Sequence, residues 1–96
     1  VTTVFDVLAS HGIVGDDATT MLRAVFTAMM DDRFESKRDA LGLGPFYGDF
    51  RDLAVQLSHA RLEVGSTVYQ QCVTDLFGSD GVRFAMLAPQ IAEVAR

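Results

Sequence analysis

Apolar residues recur along most of the chain at steps of three and four, the spacing that places side chains on one face of a helix. The best-delimited case runs from Phe46 to Val64. Phe46, Phe50, Leu53, Ala54, Leu57, Ala60 and Val64 fall on one face, while Asp49, Asp52, Gln56, His59 and Glu63 gather on another and are expected to meet water. Gly44-Pro45 precedes the segment and Gly65 follows it. Proline is tolerated at a first helical position, and glycine just past the end, so the predicted helix spans 46–64. A third sector holds Val55, Ser58 and Leu62, with Tyr47 and Arg51 at its margins. A helix lying on one core needs a single apolar face. A second one predicts a helix that meets its own core on one side and another chain on the other.

The remaining pattern predicts helices throughout. Thr3-Val4-Phe5-Asp6 has the form of a capping box, opening a short helix from Val4 to His11 that stops at Gly12, with Ile13 packing back over its end. His11 would sit at that helix's carboxyl end, where a cation is favourable. Asp16 and Asp17 can cap the next helix. Its Met21, Leu22, Val25, Phe26, Met29 and Met30 span about half the circumference, which predicts deep burial or a surface shared with a partner. Phe34 and Leu41 extend the four-residue steps of Leu22, Phe26 and Met30, so this helix is expected to run to about Leu41 and end at Gly42. A break at Asp31-Asp32 is the alternative. After Gly65, Thr67 and Gln70 suit a second capping box, and Tyr69, Cys72, Val73, Leu76 and Phe77 form a buried arc. Gly78-Ser79-Asp80-Gly81 predicts a turn. Val82 to Arg96 is apolar nearly all round, with Pro89 starting a final short helix. The predicted fold is a single all-α domain over residues 1–96: a compact bundle of four main helices plus short terminal pieces, expected to dimerise.

Charge and composition narrow the function. Thirteen acidic residues against eight basic give a net charge of −5, the wrong sign for a protein that competes for phosphate backbones. The helix–turn–helix outline over residues 4–26 does not change this. Its second helix offers Asp16, Asp17, two threonines and one Arg23, a poor set for reading base edges. A nucleic-acid partner is therefore not expected. Nor is a membrane partner, because no apolar run approaches the ~18 residues of a spanning helix. No basic start leads into a long apolar stretch, as a signal peptide would. The lone Cys72 cannot form an internal disulfide. A cytoplasmic location is the expectation.

Catalytic chemistry finds little to work with. Cys72 lies in an apolar arc, and nothing in the spacing brings His11 or His59, the two histidines, to it. His59, Glu63 and Asp52 share a helix side, but a metal site of this kind needs ligands from several helices, so no metal and no cofactor are expected. Gly42, Gly44 and Gly48 miss the spacing of a dinucleotide-binding loop and follow a helix where a strand is required. The serines lack a nucleophile elbow. No motif ties the chain to a family.

The expectation is a non-enzymatic interaction module, an accessory, adapter or neutralising protein, that binds another protein or itself through an apolar helix face. The residues assigned to that face are Met29, Met30, Phe34, Val55 and Leu62, since methionine-rich surfaces adapt to varied partners. The alternative is a regulatory domain with a small apolar ligand in a cavity lined by Phe26, Met29, Phe50 and Leu57.

Overall fold

The computed structural model describes residues 4–94. Among them it contains six α-helices, one 3-10 turn and no strand. The helices are α1 (Val4–Ser10), α2 (Asp16–Met30), α3 (Glu35–Ala40), α4 (Phe50–Val64), α5 (Ser66–Met86) and α6 (Ala88–Val94), with the 3-10 turn η1 (Asp32–Phe34) between α2 and α3. The all-α class follows the pattern. The number of elements differs from four main helices, because the helix expected over residues 16–41 breaks after Met30 and the start of α4 moves to Phe50. The Thr3 cap predicted for α1 lies outside the described residues, as does the end of the last segment.

The end of α1 is set as its sequence predicts. Ile13 N–H donates to the Leu8 carbonyl and Gly12 N–H to the Ala9 carbonyl, at 2.9 and 3.0 Å, the paired bonds of a Schellman ending. Leu8 and Ile13, the apolar residues of that motif, are both buried.

The long helix expected over residues 16–41 stops at Met30, so the alternative, a break at Asp31-Asp32, is the arrangement found. Asp31 adopts an extended conformation, and its carboxylate accepts from Arg33 N–H at 2.9 Å and from the Arg33 guanidinium at 2.7 Å. An aspartate at a helix carboxyl end opposes the helix dipole, and its side chain offers the backbone a competing partner. Arg38 completes the junction from α3. One guanidinium nitrogen donates to the Ala28 carbonyl at 2.8 Å and to the Asp31 carbonyl at 2.7 Å. The four-residue step was misleading because Phe34 and Leu41 still pack on the core after the turn.

The start of α4 also moves, from Phe46 to Phe50. Asp49 is the cap: its carboxylate accepts from Arg51 N–H and Asp52 N–H at 3.0 and 3.1 Å. Phe46 remains in the connector and turns its ring onto Phe26 and Phe50, at centroid separations of 5.8 and 5.4 Å. Gly44 N–H donates to the Gln56 side-chain carbonyl at 2.8 Å, and the Gln56 amide donates to Asp52. Part of the side expected to face water therefore ties the connector to α4.

α5 is two helices joined at Gly78. That residue has φ 70° and ψ −175°, a region essentially reserved for glycine. Gly65, with φ 88° and ψ 157°, makes a similar corner between α4 and α5. No side chain caps the start of α5 at Ser66, so the expected Thr67–Gln70 capping box does not form. The two halves of α5, residues 66–77 and 79–86, are bonded to each other by Tyr69, whose phenol donates to the Ala85 carbonyl at 2.7 Å. Gly81 lies where the second half meets α2. A Cβ there would stand 2.9 Å from Phe77 Cβ and 3.4 Å from Ala24 Cβ.

α5 packs against α2, α4 and α3, α4 packs also against α6, and α1 lies against α6. Leu8, Val25, Leu53, Leu57, Tyr69, Val73, Phe84 and Ile91 are the largest fully enclosed side chains. The radius of gyration of 12.2 Å is close to the roughly 12.5 Å of a compact chain this long.

Candidate functional site

Two sectors of α4 behave differently. Leu53, Ala54, Leu57 and Ala60 are closed in the core. On the third sector Val55 and Ser58 are half-buried, and Leu62 is 85% exposed. Few apolar side chains of the fold are so bare; Tyr47, in the connector before α4, is another at 90%.

Leu62 borders a cleft of about 510 Å³ formed by the last turns of α4, the Gly65 corner and the first turn of α6. Ser58, Arg61, Ser66, Pro89 and Ala92 complete its wall. The Ser58 Oγ is buried and makes no hydrogen bond. Among the described residues Arg61 has no ion-pair partner, since the single ion pair joins Arg33 to Asp31 at 2.7 Å. Arg61 also lies near Tyr69. Burial pushes the Tyr69 phenol well above its ordinary range, and the Arg61 charge opposes that only in part.

The five residues expected to form one partner surface are not brought together. Met29 is enclosed in the core at 5% exposure and cannot contact a partner without unfolding its surroundings. Met30, one residue on, is 55% exposed. Phe34 is half-buried and lines a groove of about 490 Å³ between α2 and α5, where Arg33 approaches its ring. Val55 and Leu62 share the α4 sector just described. Helical periodicity identified the broad apolar arc of α2 but not which edge of it the core covers.

The four residues of the alternative ligand cavity are not equally enclosed. Met29 and Leu57 are core, Phe50 is half-buried and Phe26 is partly exposed. Phe26, Phe46, Phe50 and Phe84 form a chain of edge and tilted ring contacts, the last pair 5.9 Å apart, that occupies the space between α2, α4 and α5. None of the four lines the grooves of about 490 and 510 Å³ or three further surface clefts.

His59, Glu63 and Asp52 are each exposed and line none of these clefts. Among the described residues no three His, Cys, Asp or Glu side chains are grouped to hold a metal ion. Cys72 is half-buried in the wall of a small cleft with Ser36, Lys37, Ala40 and Asp75, and neither histidine reaches that wall. No helix of the described residues is long and apolar enough to cross a membrane.

Sequence reasoning placed Leu62 on its own strip but missed Arg61, Ser66 and Pro89. Their meeting depends on the Gly65 corner and on α6 packing against α4, which are tertiary events. One clue was legible: the first turn of α5 contains no acidic residue. No protein-family model matches the chain, and no curated protein or solved structure matches it either.

Proposed function

We propose that this chain is a non-enzymatic helical interaction module that docks another protein on the Val55–Leu62 sector of α4. The observation that carries the reading is Leu62: an aliphatic side chain left 85% exposed on a helix whose opposite face is closed core. Val55, about two turns earlier on the same sector, is only half covered, and the cleft beside Leu62 gives the strip depth. Single exposed apolar residues are common on protein surfaces. One flanked by a half-covered apolar neighbour and a concave wall offers a partner both area and shape.

The test is affinity capture from the native host, comparing the wild-type chain with a Val55→Asp/Leu62→Asp variant. The reading expects a protein retained by the former and lost by the latter while circular dichroism and the thermal midpoint stay close to wild type. Equal retention by both would overturn it. Sedimentation velocity over a range of concentrations separates a foreign partner from a second copy of the chain, the dimer that the two-faced helix led us to expect.

A further inference from the structure

We infer that the partner on the α4 sector is a second copy of this chain, paired antiparallel through α4 about a two-fold axis, with Val55 and Leu62 in the seam and Asp52 of each copy against the partner's His59. This rests on the docking reading above and names its partner.

The spacing defines the seam. Arg51, Val55, Ser58 and Leu62 step by four, three and four, the alternation by which one helix packs along another in a coiled coil. Leu53, Ala54, Leu57 and Ala60, which face the core, form a different stripe of α4. In an antiparallel pair each seam position faces one from the opposite end. Leu62 then meets the partner's Arg51, whose methylene stem can cover it, and Val55 meets the partner's Ser58, a side chain small enough to let the helices close.

Charge complementarity selects the occupant and its direction. Asp52 and His59, seven residues apart, line one edge of the seam, and both are exposed. A two-fold axis perpendicular to the helix pair keeps that edge on the same side of both helices and reverses its direction. Asp52 of each copy therefore lies beside the partner's His59, and the contact is made twice. A parallel pair would put the edge on opposite sides and hold the two residues apart. The chain does not already use these groups in full. Asp52 accepts from Gln56 through Oδ2 at 2.8 Å, which leaves Oδ1. Among the described residues neither His59 nor Arg51 makes an ion pair. An imidazole N–H can donate to a carboxylate in either protonation state. The strip is also balanced where the chain is not. The formal charges of Arg51 and Asp52 cancel on a chain of net charge −5, so two copies can meet there without the repulsion that the rest of their surface would bring. The fifteen residues of α4 span only about 22 Å. One helix pair of that length buries less than a standard interface, so the dimer is expected to be weak, dissociating on the order of 100 μM.

The experiment is sedimentation velocity on the full chain from about 10 μM to about 1 mM, with Leu62→Asp, Asp52→Lys and His59→Glu alongside. The expected result is a concentration-dependent shift from monomer to dimer in the wild type. Each variant is expected to associate at least about tenfold more weakly while its circular dichroism stays unchanged. Asp52→Lys sets a cation against the partner's imidazole, and His59→Glu sets a carboxylate against the partner's Asp52. Mixed in equal amounts, these two variants place the new lysine of one beside the new glutamate of the other and keep one native Asp52–His59 contact. The mixture is therefore expected to dimerise although neither component does so alone. A wild-type chain that stays monomeric at about 1 mM, a dimer indifferent to Leu62→Asp, or a mixture no more associated than its components would overturn the inference. If a foreign protein is then still captured in a Leu62-dependent manner, only the second copy is removed and the docking reading stands. If none is, both fall.

Discussion

The Tyr69 phenol and the Ala85 carbonyl are bonded at 2.7 Å although sixteen residues separate them within what is nominally one helix. Sixteen residues of straight α-helix would place them about 24 Å apart. The bond therefore requires the two halves of α5 to fold back side by side, and Gly78 is the corner. Tyr69→Phe keeps the packing but leaves a buried carbonyl without its donor. It is expected to lower unfolding stability by about 1–2 kcal/mol in a urea titration.

Gly78→Ala tests the corner directly. The backbone there is open to glycine and strained for other residues, so even a methyl group is expected to destabilise by about 1–3 kcal/mol. Equilibrium unfolding would detect this, and an unchanged midpoint would mean that the two halves do not fold back as described.

Gly81→Ala probes a different restriction. Its obstacle is space: Phe77 Cβ at 2.9 Å and Val25 Cγ2 at 3.4 Å from the new methyl. Overpacking of this kind is expected to cost about 1–3 kcal/mol. Pairing it with Ala24→Gly should recover part of the loss in a double-mutant cycle, since Ala24 Cβ is the other close neighbour at 3.4 Å.

The turn after α2 depends on Arg38, which serves two carbonyls, those of Ala28 and Asp31. Arg38→Met retains much of the side-chain length and removes both bonds. A loss of about 1–2 kcal/mol is expected, with faster hydrogen exchange concentrated at the end of α2.

Acid should weaken the same turn. Hydrogen bonds from the Arg33 side chain and backbone hold the Asp31 carboxyl down to about 2. A carboxyl lowered on folding contributes stability that is complete above its unfolded value of about 3.9 and is lost as pH falls through the folded one. The wild-type chain should therefore lose stability between about pH 4 and pH 2, and Asp31→Asn should lose less over that window.

These sites also show how far the sequence was legible. Period and punctuation were enough for the all-α class, for the end of α4 at Val64 and for the end of α3 before Gly42, because those endings are local. They left the break at Asp31 as the second choice, because Phe34 and Leu41 kept the helical step while a side chain took over the backbone's bonds. Nor did they place the start of α4, where Asp49 outcompeted the Gly44-Pro45 signal by accepting two N–H groups directly. At the candidate site, Leu62 was legible as an apolar residue off the core stripe. The bareness of Leu62 and the burial of Met29 were not, since both have apolar side chains on amphipathic helices and only the packing of α5 and α6 distinguishes them.

The buried Tyr69 gives the molecule a property that none of its contacts explains singly. The chain has two tyrosines and no tryptophan, and the tyrosines sit at opposite extremes, Tyr47 at 90% exposure and Tyr69 at 1%. Ultraviolet emission from the folded chain is thus the sum of one emitter in solvent and one shielded by the hairpin of α5. A collisional quencher reaches the first and not the second, so the unquenched fraction reports, without any label, whether that hairpin is closed.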